Sequence, residues 1–291
     1  MVVKSLREAV VLIKKKPLLW LPGMVLGLTA AAGLLFLAGG DGFLTERLAL
    51  LELIIIPFLL GGFYGVIKEE RFTLRTFVRQ GTAYYFRLLL PMLVILFAAL
   101  FTVFALVVPL MLMGIPPEIG INDVMIAGVF LPFIFFTYFY DTAVVFEDKK
   151  VFTSIRRSID FIMNNRGSTL LFYVVNLALV AAVGLALMFV WAGLVAGDLK
   201  PIISMGAAEV ESIMPADLLA MLGTGAVAVT AAIYALFVVV IFTLLPAYKV
   251  CFFRRYAGDA GDAGVAGEVE KAGVTSVTPG EYDEKGRWYK Y

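Results

Sequence analysis

Two carboxylates, Glu52 and Asp141, sit inside long apolar stretches of this chain, and ionisable groups in such places are the first candidates for chemistry. A lone carboxylate in lipid can carry a proton, attract a cation or pair with a base. A proton or cation relay needs several such groups strung across the midplane, and the midplane here holds none. Glu52 lies five residues past the start of an apolar run at 47, or about 8 Å at 1.5 Å per residue. From that depth it can reach the outer surface, or pair with Arg47 or Lys200. Asp141 precedes Glu147 and Asp148 and can pair with Arg87 or Arg157. Asn176 is the best remaining polar group in a run, where an amide serves to bond a neighbouring helix. Structural pairing is the expectation for both carboxylates.

The residue types that are missing narrow the chemistry further. There is no histidine, which excludes His-dependent zinc sites, Ser-His triads and imidazole acid/base catalysis. The single cysteine, Cys251, excludes an intrachain disulfide and a cysteine-rich metal site. The sequence contains no phosphate loop, no zinc motif, no nucleophile beside a base and no carbonyl filter. No catalytic residue, cofactor or metal is therefore expected, and the chain reads as a non-enzyme.

The elements that hold Glu52, Asp141 and Asn176 follow from composition. The chain is 61% hydrophobic and 16% charged, with a mean hydropathy of +0.93. A water-soluble domain is nearer one quarter charged. Spanning a bilayer takes about 20 mostly apolar residues. Six runs qualify: 17–38, 47–66, 88–113, 122–146, 168–196 and 217–247. They are too long and too uniformly apolar for barrel strands of about 10 alternating residues. The fold class is all-α: a polytopic bundle of six transmembrane helices, occupying residues 1–256. The first run is too long for the apolar core of a signal peptide and reads as a retained span.

Charge sets the orientation. Of the 24 basic residues, all but Arg47 and Lys200 fall before span one, after span six, or in the second and fourth loops. The positive-inside rule places those segments, and both chain ends, in the cytosol, with the spans in the cell membrane. Omitting any one span would destroy the alternation.

Three segments on the cytosolic side are amphipathic. In 2–15, 72–86 and 151–165, apolar residues recur at helical spacing, with Arg7, Arg75, Arg156 and Arg157 on the polar faces. Each reads as a helix lying in the interface, its basic face toward anionic lipid headgroups. Ser5-Leu6-Arg7, Thr73-Leu74-Arg75 and Ser154-Ile155-Arg156 share a hydroxyl–aliphatic–arginine start, with the hydroxyl as a helix N-cap. Each leads into a pair of spans, which points to a threefold unit of interfacial helix, outward span and inward span.

Gly23-x-x-x-Gly27 allows a close helix approach in span one. Pro57, with Gly61 and Gly62, should kink span two, and Pro109, Pro132 and Pro246 should interrupt three others. Residues 197–216 suggest a short helix on the outer surface. Residues 257–291 read as a disordered cytosolic tail, and its aromatic end, Trp288 to Tyr291, offers a docking point for a protein partner. Nothing points to nucleic acid.

Leu60-Gly61-Gly62-Phe63-Tyr64-Gly65-Val66 runs on to Phe72-Thr73-Leu74-Arg75-Thr76-Phe77, then Gly81 and Tyr85-Phe86-Arg87; Ser154-Ile155-Arg156-Arg157-Ser158 follows later. These stretches resemble a set of uncharacterised archaeal six-span membrane proteins. They are distantly similar to the membrane domain beside some bacterial glycerophosphodiester phosphodiesterases. The resemblance implies an architecture and transfers no activity, since the catalytic half of those enzymes is a separate soluble domain. Two functions compete: a non-enzymatic module that organises the membrane or supports a partner, and a transporter or permease for a lipid or small solute.

Overall fold

A computed structural model of the protein describes residues 2–113, 121–200 and 221–271, and among these all regular structure is helical. The order is α1 (Val2–Lys15), a 3₁₀ turn (Pro17–Trp20), α2 (Leu21–Ala38), α3 (Gly42–Lys68), α4 (Leu74–Leu112) and α5 (Ile121–Thr137). Then come α6 (Tyr140–Phe146), α7 (Val151–Asn164), α8 (Arg166–Val195) and α9 (Gly223–Lys271). Met1–Phe253 and Arg254–Tyr291 form two compact units, and the first carries everything below.

Six segments are long and apolar enough to cross a membrane: Pro17–Ala38, Gly42–Lys68, Leu74–Pro109, Ile126–Phe146, Arg166–Val195 and Gly223–Ala257. Each overlaps one of the six runs expected from hydropathy. A helix is the form in which such a run bonds its own backbone without water. Where ends are capped, the cap is local: Asp41 accepts from the Leu44 amide at 3.0 Å, and Thr73 from the Thr76 amide at 3.2 Å.

Four details depart from the sequence reading. The amphipathic stretch 72–86 is not a separate helix, because α4 runs unbroken from Leu74 to Leu112. Gly81, the one residue there that could open a turn, is used instead to admit the Phe58 ring. Ser5 and Ser154 are not N-caps: both lie buried in the first turn of α1 and α7, and Ser154 Oγ donates to the Val151 carbonyl at 2.7 Å. Pro109, Pro132 and Pro246, expected to interrupt three spans, sit inside continuous helices, since losing one backbone bond bends a helix more readily than it ends one. α9 also continues to Lys271, past the point where the tail was expected to begin. The surface helix expected within 197–216 lies, from residue 201 on, outside the described residues, as do 272–291 with the aromatic end.

Close packing is made by glycine. Gly61, Gly62 and Gly65 on α3 face Tyr84, Phe77 and Gln80 on α4, and a Cβ on Gly62 would fall 2.7 Å from the Phe77 ring. On α2, Gly23 and Gly27 press against Val239 and Ala235 of α9, as the Gly-x-x-x-Gly spacing suggested. The largest fully buried side chains include Phe63, Tyr64, Phe139, Phe161, Phe172, Tyr248 and Phe252. They gather at the end of the bundle that carries α6 and α7.

Candidate functional site

The fourth spanning segment is broken, and the break builds the site. α5 ends at Thr137 and α6 starts at Tyr140. A continuous helix would bond the Phe139 amide to Phe135 and the Tyr140 amide to Phe136. Instead the Phe139 amide donates to Ser158 Oγ at 3.0 Å, and Ser158 Oγ donates to the Phe136 carbonyl at 2.8 Å. The Phe135 carbonyl accepts from the Tyr173 hydroxyl at 2.7 Å. Side chains of α7 and α8 thus hold the backbone groups that the break sets free, as a non-aqueous environment demands.

The break turns Asp141, in the first turn of α6, into the core. It is 4% exposed. Lys249 on α9, 6% exposed, places Nζ 2.7 Å from both carboxylate oxygens. The Tyr64 hydroxyl on α3 donates to Oδ2 at 3.1 Å, and the Thr142 amide to Oδ1 at 2.6 Å. Lys249 Nζ also stands 4.1 Å from the centre of the Tyr138 ring, close enough for a cation–π contact. A carboxylate offers about four lone-pair sites, and here each oxygen meets two donors. The carboxylate is saturated, and the cluster ties α3, α6 and α9 together. Aromatic rings wall it off: Phe139 stacks on Phe252 at 5.8 Å, and Phe172 lies 4.5 Å from Phe252 and 4.7 Å from Tyr248.

A second, wetter set of pairs surrounds the same end. Asp148 has a left-handed backbone (φ 52°), which aspartate tolerates, and meets Lys68 at 2.7 Å and Arg87 at 3.3 Å. The Lys68 hydrogen bond, helped by Arg87, holds its carboxyl below the ordinary value of 3.8. Arg157 grips Glu147 through Nε at 2.8–2.9 Å and through NH2 at 2.8 Å, which raises the guanidinium above its usual value. Glu69 takes Arg79 at 2.5 Å and also the Gln80 amide.

Asp141 is paired, as expected, but its partner is Lys249; Arg87 and Arg157 are taken by Asp148 and Glu147. By sequence alone Lys249 belongs with the bases that flank span six. The signal that could have found it is the apolar run that resumes after it, with Val250, Phe252 and Phe253. Glu52 is elsewhere. It forms no ion pair among the described residues, Arg47 lies over the Phe43 ring instead, and Glu52 lines a cavity between α2, α3 and α9. Because α3 begins at Gly42 and not near 47, Glu52 is about 15 Å along the helix and not about 8 Å. Asn176 is buried, yet neither amide atom has a hydrogen-bond partner among the described residues, so the expected bond to a neighbouring helix is not made. Arg7 and Arg75 are exposed, and Arg156 is 84% exposed with only a loose 3.8 Å contact to Asp160. Among the described residues no group of His, Cys, Asp and Glu side chains could hold a metal.

No curated protein and no solved structure matches the chain. One family does: the domain of unknown function DUF7847, whose model covers residues 1–256. With that coverage of its 291 residues, this multi-span chain belongs to the DUF7847 family.

Proposed function

We propose that the protein is a non-enzymatic module that organises the cell membrane from its cytosolic side, with both ends in the cytosol. The observation that carries this reading is the placing of its arginines. Arg7, Arg75 and Arg156 project from α1, the start of α4 and α7 with little or no protein partner, while Lys68, Arg79, Arg87, Arg157 and Lys249 are held in ion pairs. Exposed arginines on amphipathic helices suit anionic headgroups. The saturated Asp141 cluster speaks for a structural interior rather than a catalytic one. A role in supporting a protein partner would fall to the C-terminal tail, residues 257–291. Descent alongside archaeal six-span proteins, and a distant link to the phosphodiesterase-associated membrane domain, belong to the same proposal.

The test is lipid retention. Native mass spectrometry of protein extracted from vesicles of mixed phosphatidylglycerol and phosphatidylcholine should show phosphatidylglycerol enriched on the wild type. The enrichment should be lost in the triple variant Arg7→Gln, Arg75→Gln, Arg156→Gln. Equal retention of both lipids by wild type and variant overturns the reading. Orientation is checked separately: reporters after Gly40 and after Asn165 should land in opposite compartments.

Transport of a lipid or small solute is the second reading, favoured by the cavity at Glu52. Flux of a solute or lipid across reconstituted vesicles, abolished by Glu52→Gln, would promote it over the first.

A further inference from the structure

Among the described residues, Glu52 is an ionisable side chain well inside a spanning helix that neither the Asp141 cluster nor the ion pairs around Asp148 account for. It lies about 15 Å from the start of α3 and about 24 Å from its end, inside a segment built to cross a hydrocarbon layer about 30 Å thick. A carboxylate there is expensive unless something compensates it. No base of this chain does so among the described residues: Arg47 turns back to Phe43, and every ion pair of the described residues involves other acids.

The surroundings say what would compensate it. Glu52 lines a cavity of about 300 Å³ together with Thr29, Thr45 and Tyr234, and with aliphatic walls that include Leu34 and Leu48. Both threonine protons are already spent. Thr29 Oγ1 donates to the Leu26 carbonyl at 3.0 Å, and Thr45 Oγ1 to the carbonyls of Gly33 at 3.2 Å and Asp41 at 3.1 Å. A hydroxyl that has given its proton has only lone pairs left to offer. The cavity therefore presents a carboxylate, two acceptor oxygens, the phenol of Tyr234 and aliphatic walls. Acceptors and a π-face suit a cation whose charge sits on N–H donors, and the aliphatic walls suit an apolar body. An anion would meet repulsion, and a neutral polar solute would leave the carboxylate uncompensated.

We propose that this cavity is a binding site for an amphipathic ammonium compound, with Glu52 as its counter-ion. The charge comes from a free amphipathic amine or from the headgroup of an aminolipid entering from the bilayer. The site is distinct from the Asp141 cluster and does not depend on the membrane-organising reading.

The experiment uses full-length protein in nanodiscs of phosphatidylcholine, titrated with 1-aminoadamantane, a rigid primary ammonium with an apolar cage. Calorimetry should show saturable binding that the neutral 1-adamantanol does not reproduce. Glu52→Gln should weaken it by about tenfold or more, since it removes a charge-assisted hydrogen bond. Glu52→Asp should retain part of it. Gly33→Leu keeps the carboxylate but fills the space, and a Cβ at Gly33 meets nothing within 4 Å, so the fold should accept it. This variant should lose binding too. Nanodiscs that include phosphatidylethanolamine identify the source: competition assigns the site to an aminolipid, and unchanged affinity assigns it to a free amine. No saturable binding by the wild type, or equal binding by wild type and Glu52→Gln, overturns the proposal.

Discussion

The two halves of α3 are almost equally apolar and behave differently. Nine of the residues from Pro57 to Ile67 are buried, while none from Gly42 to Ile56 is. The first half reads Leu-Ala-Leu-Leu-Glu-Leu-Ile-Ile-Ile; the second carries Gly61, Gly62 and Gly65. Apolar character does not distinguish them, because lipid tails are as apolar as leucine and offer the same surroundings. What differs is how closely a neighbour can approach. Three glycines let Phe77, Tyr84 and Gln80 lie against the α3 backbone, and Tyr64 then reaches Asp141 from the same stretch. The contrast extends across the bundle: the end near α6 and α7 is bound by an ion pair, hydroxyls and rings, while the other end leaves Leu50, Leu51, Leu53 and Ile54 exposed within α3. That first half is where the Glu52 cavity opens.

The comparison can be broken most forcefully at the ion pair. Asp141→Asn or Lys249→Met leaves one buried charge unpaired, and either should lower stability by about 3–5 kcal/mol in a detergent unfolding assay. Next comes the glycine seam. Gly62→Leu drives a side chain into Phe77 and should cost about 1–3 kcal/mol, whereas Ile54→Ala on the same helix should shift stability by under about 0.5 kcal/mol in the same assay. Equal effects at the two positions would remove the distinction between the halves. Ser158→Ala strips the broken span of its replacement bonds and should cost about 1–3 kcal/mol, with Ser158→Thr restoring part if the larger side chain fits.

The smallest effect belongs to the rim. The Asp148 carboxyl is held low chiefly by its hydrogen bond from Lys68, so its contribution is complete above its ordinary value of 3.8 and fades as pH falls through its lower folded value. The stability gap between wild type and Asp148→Asn should therefore be flat near neutrality and close below about pH 4. Because Asp148 is half exposed, the gap should stay under about 1 kcal/mol.

Much of this architecture was legible in the sequence. Six crossings could be read because each is a long apolar run punctuated by charge, and the Gly23–Gly27 contact because small residues at that spacing have one evident use. The break after Thr137 was not legible. No glycine or proline marks it, and it exists because Ser158 and Tyr173, from other helices, offer the freed backbone a better arrangement. The Asp141 partner was hidden for the same reason: Lys249 is 108 positions away, and charge counting sees bases by region and not by contact. The separate helix expected over 72–86 failed because an amphipathic pattern reports which face is buried and not where a helix ends. Glu52 was found, but its distance from the start of its helix was read short, since hydropathy located the run and missed the turns of α3 before it.

A double-mutant cycle at Asp141 and Lys249 tests most directly whether the buried cluster is a cross-link. Unfolding free energies would be compared for Asp141→Leu, Lys249→Met and the double variant. The account predicts that each single change is costly and that the double variant recovers most of the loss, with a coupling of about 2 kcal/mol or more, because the charges exist for one another. Additive losses, with the double variant as weak as the two singles together, would contradict it.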